Sequence, residues 1–327
     1  MSVSLRALVT GGGGFIGSHL CRRLLADGCT VTCIDNFASG LRRNIAGLLD
    51  DPSFRLIEQD VSAEPLPDDL QADRYYHLAS PASPNPHTPR SYMALPLETA
   101  LVNSVGLRNV LELARRRGGR VLFASTSEVY GDPHEHPQRE EYWGNVSSTG
   151  PRSCYDEAKR FGEALCMIFV RSYDVDVRLI RIFNTYGPNM DPEDGRMLPN
   201  FITQALSNQA LTIYGDGQFT RSLCYVQDLV EGVLAVMESS RSDAAGRVYN
   251  LGNPEEHTIL EYAKLVLELI PANRSRITHM PPVPDDPSRR RPDITRAKSE
   301  LGWEPRVALR KGIETTINYF REVTAVS

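Results

Sequence analysis

Short apolar runs alternate with longer amphipathic stretches through the first 183 residues of this chain. The runs predict strands at Leu5–Thr10, Thr30–Asp35, Arg55–Val61, Tyr75–Ala79, Val121–Ser125 and Val177–Phe183. Between the first two, residues 15–27 place Ile16, Leu20 and Leu24 on one face and predict a helix. This alternation predicts βαβ units and a parallel sheet covered by helices on both sides.

The pattern changes after Asn184, where glycine and proline become frequent and the helical stretches become shorter. Strand and helix patterns return between Tyr225 and Leu251, which we expect to rejoin the main sheet. The prediction is therefore an α/β chain with a Rossmann-like, doubly wound parallel sheet and a smaller C-terminal lobe. The sheet domain covers 1–183, with returns from about 225–251, and the lobe covers 184–224 and 252–327.

The composition and net charge of the chain limit the classes of partner and site that we expect. The chain has 327 residues, of which 41% are apolar, and a net charge of −5. This charge argues against a nucleic-acid partner. The apolar runs are too short for a membrane span, and the N-terminus lacks the pattern of a signal peptide, so we expect a cytoplasmic protein. The six cysteines form no CxxC pair and no zinc-like spacing with histidine, so we expect reduced thiols and no metal site.

A glycine turn follows the first predicted strand, in LVTGGGGFIGSHL. Gly11 permits a tight turn, Gly14 lets the backbone approach a pyrophosphate, and Gly17 lets the helix pack on the strand. The second strand ends at Asp35, whose carboxylate suits ribose hydroxyls and repels a 2′-phosphate. The pattern predicts NAD rather than NADP, although a glycine-rich turn can also occur without a ligand. We therefore expect 1–183 to be the NAD-binding domain. Asp60 and Val61, at the end of the third predicted strand, are expected neighbours of the adenine.

Tyr155 and Lys159 are four residues apart in SCYDEAKR, and therefore lie on one face of a helix. Such a pair also occurs on ordinary exposed helices. Behind a dinucleotide fold, however, the lysine charge could lower the pKa of the phenol and make Tyr155 a general base. Thr126, at the end of the fifth strand, would hold the substrate hydroxyl at the same point. Glu128 follows two residues later, either facing the substrate or capping the next loop.

These features together resemble the extended short-chain dehydrogenase/reductase family, and within it the UDP-glucuronic acid decarboxylases. The resemblance rests on HLASPASP (77–84), STSEVYGDP (125–133), HPQREEYWGNV (136–146), GPRSCYDEAKR (150–160), RIFNTYGPNM (181–190), LGNPEEHTILE (251–261) and DDPSRRRPDI (285–294). It implies transient oxidation of the sugar C4 by bound NAD, loss of CO₂ from the resulting β-keto acid, and re-reduction to UDP-xylose. Glu128 would face the C5 carboxylate and either destabilise it or orient a proton or water.

The resemblance also implies a set of site residues. Arg290 in RRRP would reach the sugar carboxylate, although three adjacent arginines leave open which one points inward. The catalytic residues would be Tyr155, Lys159, Thr126, Glu128 and Arg290. The NAD-binding residues would be Gly11, Gly14, Phe15, Ile16, Gly17, Asp35, Asn36, Phe37, Ser39, Gly40, Asp60, Val61, Leu78, Ala79, Ser80, Tyr155, Lys159, Thr185 and Arg196. The UDP-sugar-binding residues would be Pro81, Ser127, Asn184, Asn200, Phe201, Thr212, Tyr214, Arg221 and Arg290.

Two positions depart from the family pattern. Leu101 and Val102 stand where relatives commonly have a lysine and a threonine near the substrate and cofactor. Arg90, in a loop that carries a few extra residues, is a candidate to replace the missing cation. The helices expected at 97–117 and 153–173 carry more apolar surface than one core face needs. By resemblance they form a four-helix interface in a homodimer, with ordinary core packing as the alternative.

Two other functions stay open from the sequence. One is another NAD-dependent nucleotide-sugar enzyme, a 4-epimerase or a 4,6-dehydratase, which would share Tyr155 and Lys159. A dehydratase usually pairs an aspartate with a glutamate where Ser127 and Glu128 stand. The other is a nucleotide-sugar binding protein without catalysis, which the intact Tyr155, Lys159 and Thr126 disfavour. Release of CO₂ from UDP-glucuronate separates all three.

Overall fold

The structure is a computed structural model and describes residues 4–63, 65–67, 69–281 and 289–325. The strands of the described residues are β1 (Arg6–Thr10), β2 (Thr30–Asp35), β3 (Phe54–Glu58), β4 (Arg74–His77), β5 (Arg120–Thr126), β6 (Val177–Ile182), β7 (Thr185–Tyr186), β8 (Leu211–Tyr214), β9 (Thr220–Arg221), β10 (Cys224–Tyr225), β11 (Val248–Leu251), β12 (His257–Thr258) and β13 (Ile277–Met280). The α-helices are α1 (Phe15–Ala26), α2 (Pro96–Leu101), α3 (Leu107–Arg117), α4 (Ser153–Tyr173), α5 (Met197–Leu206), α6 (Val226–Glu238), α7 (Ile259–Leu269), α8 (Thr295–Leu301) and α9 (Leu309–Ala325).

A seven-stranded sheet in the described residues has the order β11-β6-β5-β4-β1-β2-β3, and every neighbouring pair is parallel. The strand order reverses between β1 and β4, which opens a crevice at the carboxyl ends of these strands. This topology confirms the predicted Rossmann-like, doubly wound sheet. β11 pairs with β6, so the chain re-enters the sheet at Val248–Leu251.

Helices cover both faces of the sheet, which explains why β5 is buried almost from end to end. On one face, Leu20 of α1 and Val233 of α6 belong to one hydrophobic cluster with the sheet. On the other face, Leu111 of α3 and Phe169 of α4 belong to a second cluster. A third cluster lies in the C-terminal part of the chain and includes Phe320 of α9.

Two predicted strands extend too far. The structure ends β3 at Glu58 and β4 at His77, whereas the sequence predicted Val61 and Ala79. The residues beyond each strand end leave the sheet and line a cavity at its carboxyl edge. These residues therefore belong to the cavity wall and not to longer strands.

The predicted helix at 97–117 is interrupted by a π-helical turn at Val102–Gly106. Side chains compete with the helical backbone at this point, because Asn103 donates to Thr99 O at 2.9 Å and Ser104 donates to Ala100 O at 2.6 Å. The buried His77 imidazole also donates to Val102 O at 3.1 Å. A π turn of this kind is frequent beside functional sites. In contrast, α4 begins and ends where the sequence predicted it.

In the part of the chain that the structure describes, we find no helix with the length and apolar character needed to cross a membrane.

Candidate active site

A cavity of about 890 Å³ lies at the carboxyl edge of the sheet. The glycine turn forms one part of its wall, and the end of β5 with the first turn of α4 forms another. Residues of α5 and β8 close the side that faces the C-terminal part of the chain. The crevice that the strand order creates is therefore a single, continuous binding space.

The glycine turn is as tight as the sequence predicted. Gly11 has a φ of +76°, and a Cβ atom at this position would lie 2.6 Å from Ala79 N. A Cβ atom on Gly17 would lie 2.1 Å from Gly11 O, so only glycine lets α1 approach β1 here. Gly14 lines the cavity just before α1 begins, where free backbone N–H groups favour an anionic group.

Asp35 lies at the end of β2 and is fixed by the backbone. Its carboxylate oxygens accept hydrogen bonds from Gly13 N and Phe37 N, both at 2.8 Å. Burial raises the pKa of the carboxyl, while these two hydrogen bonds act in the opposite direction. Asp35 lines the cavity, but Phe37 does not. The Phe37 ring instead lies under the Arg42 guanidinium, 4.3 Å from it, so a direct contact of this ring with the dinucleotide is not supported.

The tyrosine and the lysine lie on one face of α4, as predicted, and both line the cavity. Lys159 Nζ donates to Ala124 O at 2.7 Å and lies 5.8 Å from the centre of the Tyr155 ring. Thr126, at the end of β5, lines the same part of the wall. The structure therefore brings together the three residues that were expected to handle the substrate hydroxyl.

The expected effect of the lysine on the tyrosine pKa is not found. Burial raises the pKa of Tyr155 to about 12, although its hydrogen bond with Thr126 acts in the opposite direction. Burial also lowers the pKa of Lys159 to about 7. The predicted lowering is not found because both groups are buried, and the loss of solvent disfavours the charged form of each.

Glu128 follows β5 because the chain turns there. Thr126 Oγ1 accepts a hydrogen bond from Glu128 N at 3.2 Å and starts a 3₁₀ turn at Ser127–Tyr130. The Glu128 carboxylate then contacts two guanidinium groups, those of Arg152 and Arg290. Although burial opposes ionisation, these two charges hold the pKa of Glu128 below its usual value. The carboxylate is therefore ionised and is shared by two arginines at the cavity wall.

Of the three adjacent arginines, Arg290 is the one that points inward. Its side chain is buried and lines the cavity, and Nη2 also donates to Gly131 O at 3.1 Å. Arg291 lies 3.7 Å from Glu256, and Arg289 is exposed. Residues 285–288 of the DDPSRRRPDI motif lie outside the described residues.

The two departures from the family pattern have different environments. Leu101 is 38% exposed and is absent from the described cavity wall, whereas Val102 is part of it. Arg90 lines the cavity, but its Nε donates to Asp191 Oδ2 at 2.9 Å and its Nη2 lies 3.3 Å from Glu193. Because these acids already neutralise Arg90, the structure does not support it as the replacement cation.

Apart from Phe37, all predicted site residues border the one cavity. The dinucleotide set there is Gly11, Gly14, Phe15, Ile16, Gly17, Asp35, Asn36, Ser39, Gly40, Asp60, Val61, Leu78, Ala79, Ser80, Thr185 and Arg196, and the substrate set is Pro81, Ser127, Asn184, Asn200, Phe201, Thr212, Tyr214, Arg221 and Arg290. Their individual roles stay predictions.

Among the residues of the wall that sequence reasoning missed, two contact the expected catalytic residues. Arg152 precedes Tyr155 by three residues and contacts Glu128, which its helical spacing could have indicated. Tyr92 stacks on the Tyr155 ring, with centroids 4.7 Å apart and an interplanar angle of 7°. Nothing in the sequence pattern around Tyr92 predicts this contact, since it depends on the path of a long loop.

Comparisons with known proteins identify the family of this chain. The profile of the NAD dependent epimerase/dehydratase family matches residues 7–252. UDP-glucuronic acid decarboxylase 1 of Danio rerio is 51% identical over 315 residues, which cover 96% of this chain and 72% of that protein. UDP-glucuronic acid decarboxylase 6 of Arabidopsis thaliana is 47% identical over 319 residues, which cover 97% of this chain and 89% of that protein.

Solved structures show the same architecture. An epimerase from Methanothermobacter thermautotrophicus superposes with a TM-score of 0.86 at 30% identity, covering 99% of this chain and 94% of that one. The UDP-glucuronic acid 4-epimerase of Bacillus cereus, in complex with UDP-glucuronic acid and NAD, superposes with a TM-score of 0.84 at 28% identity. That match covers 98% of this chain and 100% of the epimerase chain.

Proposed function

This chain belongs to the NAD dependent epimerase/dehydratase family, and from that premise we propose that it is a UDP-glucuronate decarboxylase that uses bound NAD. The reaction consumes UDP-glucuronate and a proton and yields UDP-xylose and CO₂. One observation carries the proposal: the Tyr155 site and the Glu128–arginine cluster share a wall of the cavity that begins at the glycine turn. Oxidation and carboxylate loss can therefore occur on one bound sugar.

The residues of the cavity fit NAD. A Cβ atom at Gly11 or Gly17 would clash with the backbone, so glycine permits the tight turn there, and the start of α1 offers N–H groups to a pyrophosphate. Asp35 is held by the backbone at the end of β2, where it can accept hydrogen bonds from ribose hydroxyls. NAD held there would supply a reversible hydride acceptor for the sugar C4 and a positive charge that favours the ionised phenol of Tyr155.

Tyr155 accepts the proton of the C4 hydroxyl as that hydroxyl becomes a ketone. Thr126 lies beside the phenol and holds the hydroxyl in place. Lys159, fixed to Ala124 O, adds positive charge on the same helix face. The sugar then carries a ketone at C4 and a carboxylate at C5. It loses CO₂ because the electrons of the broken carbon–carbon bond pass into an enolate conjugated with the ketone.

The pairing of Glu128 distinguishes its two candidate roles. Because Arg152 and Arg290 neutralise the charge of Glu128, the repulsion between Glu128 and the substrate carboxylate is weakened. The structure supports the other role, in which Glu128 fixes the arginines and orients a water or proton for C5. Protonation of the enolate at C5, followed by return of the hydride to C4, completes the conversion.

The nucleotide half of the substrate occupies the side of the cavity formed by the C-terminal part of the chain. Phe201 of α5 and Thr212 of β8 line this side, together with Arg221. We assign the uridine to Asn200, Phe201, Thr212 and Tyr214, and the diphosphate to Asn184 and Arg221. A guanidinium can bind two phosphate oxygens at once, which suits Arg221 to this role.

The division into an NAD-binding domain at 1–183, with returns at 225–251, and a substrate-binding lobe at 184–224 and 252–327 is part of the proposal. The separate C-terminal hydrophobic cluster supports it. A homodimer is also proposed, because Leu97 and Leu101 of α2 and Phe161 and Ile168 of α4 are between 38% and 64% exposed. The cytoplasmic location stays a prediction.

The test is incubation of the purified protein with UDP-glucuronate and NAD, followed by measurement of CO₂ and of the mass of the sugar nucleotide. The proposal predicts one CO₂ per sugar and a product lighter by that mass. A 4-epimerase would release no CO₂ and give a product of unchanged mass, and a binding protein would leave the substrate unaltered.

A further inference from the structure

We propose that Arg152 is the residue that recognises the carboxylate of the substrate and makes the site selective for an acid sugar. The inference rests on the proposed function, because it assumes that the sugar C4 lies at Tyr155. It concerns a residue that contacts Glu128 and lines the cavity, next to the reacting tyrosine.

The hydrogen-bond donors of the two arginines are used differently. Arg290 contacts Glu128 through Nη1 and Gly131 O through Nη2, and its side chain is only 8% exposed. Arg152 contacts Glu128 through Nη2, and its side chain is 33% exposed. Arg152 therefore presents more of its side chain to the cavity than Arg290 does.

The charges of the cluster leave a positive excess. Two guanidinium groups share the single Glu128 carboxylate. The buried Asp156 carboxyl lies nearby, but its Oδ1 has no hydrogen-bond partner among the described residues, and burial raises its pKa to about 7. A substrate carboxylate would therefore complete the charge balance of this cluster.

Other cations on the wall are already matched. Arg90 contacts Asp191, and Arg196 lies 3.2 Å from Asp194 while it donates to Ala82 O. Lys159 donates to Ala124 O, close to the phenol rather than to the Glu128 cluster. Unlike these groups, Arg152 lies in the Glu128 cluster and has a side chain that is 33% exposed at the cavity wall.

The backbone fixes the distance between the two functions. Arg152 is the residue before α4, and Tyr155 N donates to Arg152 O at 3.0 Å, so both side chains leave the same turn. In a glucuronate sugar the C4 hydroxyl and the C5 carboxylate are on adjacent carbons. Because Arg152 and Tyr155 line the same cavity, one sugar can present its C4 hydroxyl to the phenol and its C5 carboxylate to the guanidinium, whereas a neutral hydroxymethyl group at C5 has no charge to offer.

The test compares binding of UDP-glucuronate and UDP-glucose to the NAD-loaded protein, in the wild type and in Arg152→Gln. We expect Arg152→Gln to weaken the binding of UDP-glucuronate by about tenfold or more and to change the binding of UDP-glucose by less than about threefold. Only the acid sugar loses a charged hydrogen bond in this variant. The matched control is Arg160→Gln in α4, whose guanidinium donates to Val129 O and Trp143 O outside the cavity. It should affect both sugars equally.

The inference would be overturned if Arg152→Gln weakened the binding of both sugar nucleotides equally, or weakened the binding of neither. If this variant does not fold, Arg152→Lys decides, since it keeps the charge but loses the planar fork. It should keep part of the preference for the acid, and equal losses for both sugars would again contradict us. Failure of the proposed function is distinguishable, because it would appear in the wild type as binding of the acid without CO₂ release.

Discussion

The ring of Tyr92 lies flat against the ring of Tyr155, with centroids 4.7 Å apart. Tyr92 is buried, and its hydroxyl has no hydrogen-bond partner among the described residues. Its contribution is therefore the ring, which fixes the orientation of the phenol that accepts the substrate proton. A loop that leaves the sheet after β4 thus positions a residue of α4.

Replacement of Tyr92 tests this positioning. Tyr92→Ala should lower kcat by about tenfold or more, because small misplacement of a reacting group is costly, while NAD stays bound. Tyr92→Phe should keep kcat near that of the wild type and should not lower the thermal unfolding temperature, because the hydroxyl it removes is unpaired. A Phe variant as slow as the Ala variant would show that the hydroxyl, and not the ring, matters.

Glu128→Gln should keep NAD bound and yet abolish most CO₂ release, by on the order of 100-fold. The neutral amide cannot balance Arg152 and Arg290, so the arginines and the water that donates a proton to C5 lose their orientation. Stopped-flow measurement of bound dinucleotide and of CO₂ separates the two effects. Turnover at the wild-type rate would refute the assignment of Glu128.

Asp35→Asn should weaken the binding of NAD by about tenfold and reduce the preference of the protein for NAD over NADP. The amide keeps the shape of the side chain but loses the negative charge that attracts ribose hydroxyls and repels a 2′-phosphate. Titration of both dinucleotides by fluorescence measures the two affinities, and thermal unfolding checks that the contacts with Gly13 and Phe37 survive. An unchanged ratio of the two affinities would contradict the role of Asp35.

The raised pKa of Asp156 predicts that the stability of the folded protein depends on pH. Burial and the nearby Glu128 charge raise its pKa from 3.8 to about 7, so the folded protein favours the neutral carboxyl. The stability that this preference contributes is fully present below about pH 4 and is lost as the pH rises through about 7. Asp156→Asn should therefore raise the free energy of unfolding at pH 8 by about 1–4 kcal/mol relative to its effect at pH 4. Denaturant unfolding at both pH values measures this difference, and an equal effect at both would disprove it.

Much of the fold could be predicted because the signals are local. The strands β1 to β6 and the helix α4 follow from apolar periodicity, and the glycine turn follows from residues with no room for a Cβ atom. The π turn at Val102–Gly106 could not be predicted, because it depends on hydrogen bonds of Asn103 and on contact with the distant His77.

The site was predicted unevenly for the same reason. Motif spacing found Tyr155, Lys159 and Glu128, but it missed Arg152 and Tyr92, whose contacts are made in three dimensions. The pKa of Tyr155 was also mispredicted, since the sequence shows the nearby lysine but not the burial that outweighs it. A sequence shows which residues are close along the chain. Whether a side chain is excluded from solvent can be seen only in the folded structure.

The central claim is that NAD removes a hydride from C4 of the sugar and returns it to the same carbon. The most direct measurement uses UDP-glucuronate with deuterium at C4 and unlabelled water, with mass spectrometry of the product. We predict UDP-xylose that retains the deuterium at C4, together with CO₂. Release of CO₂ with loss of the deuterium to solvent, or a product with its carboxylate intact, would contradict the account.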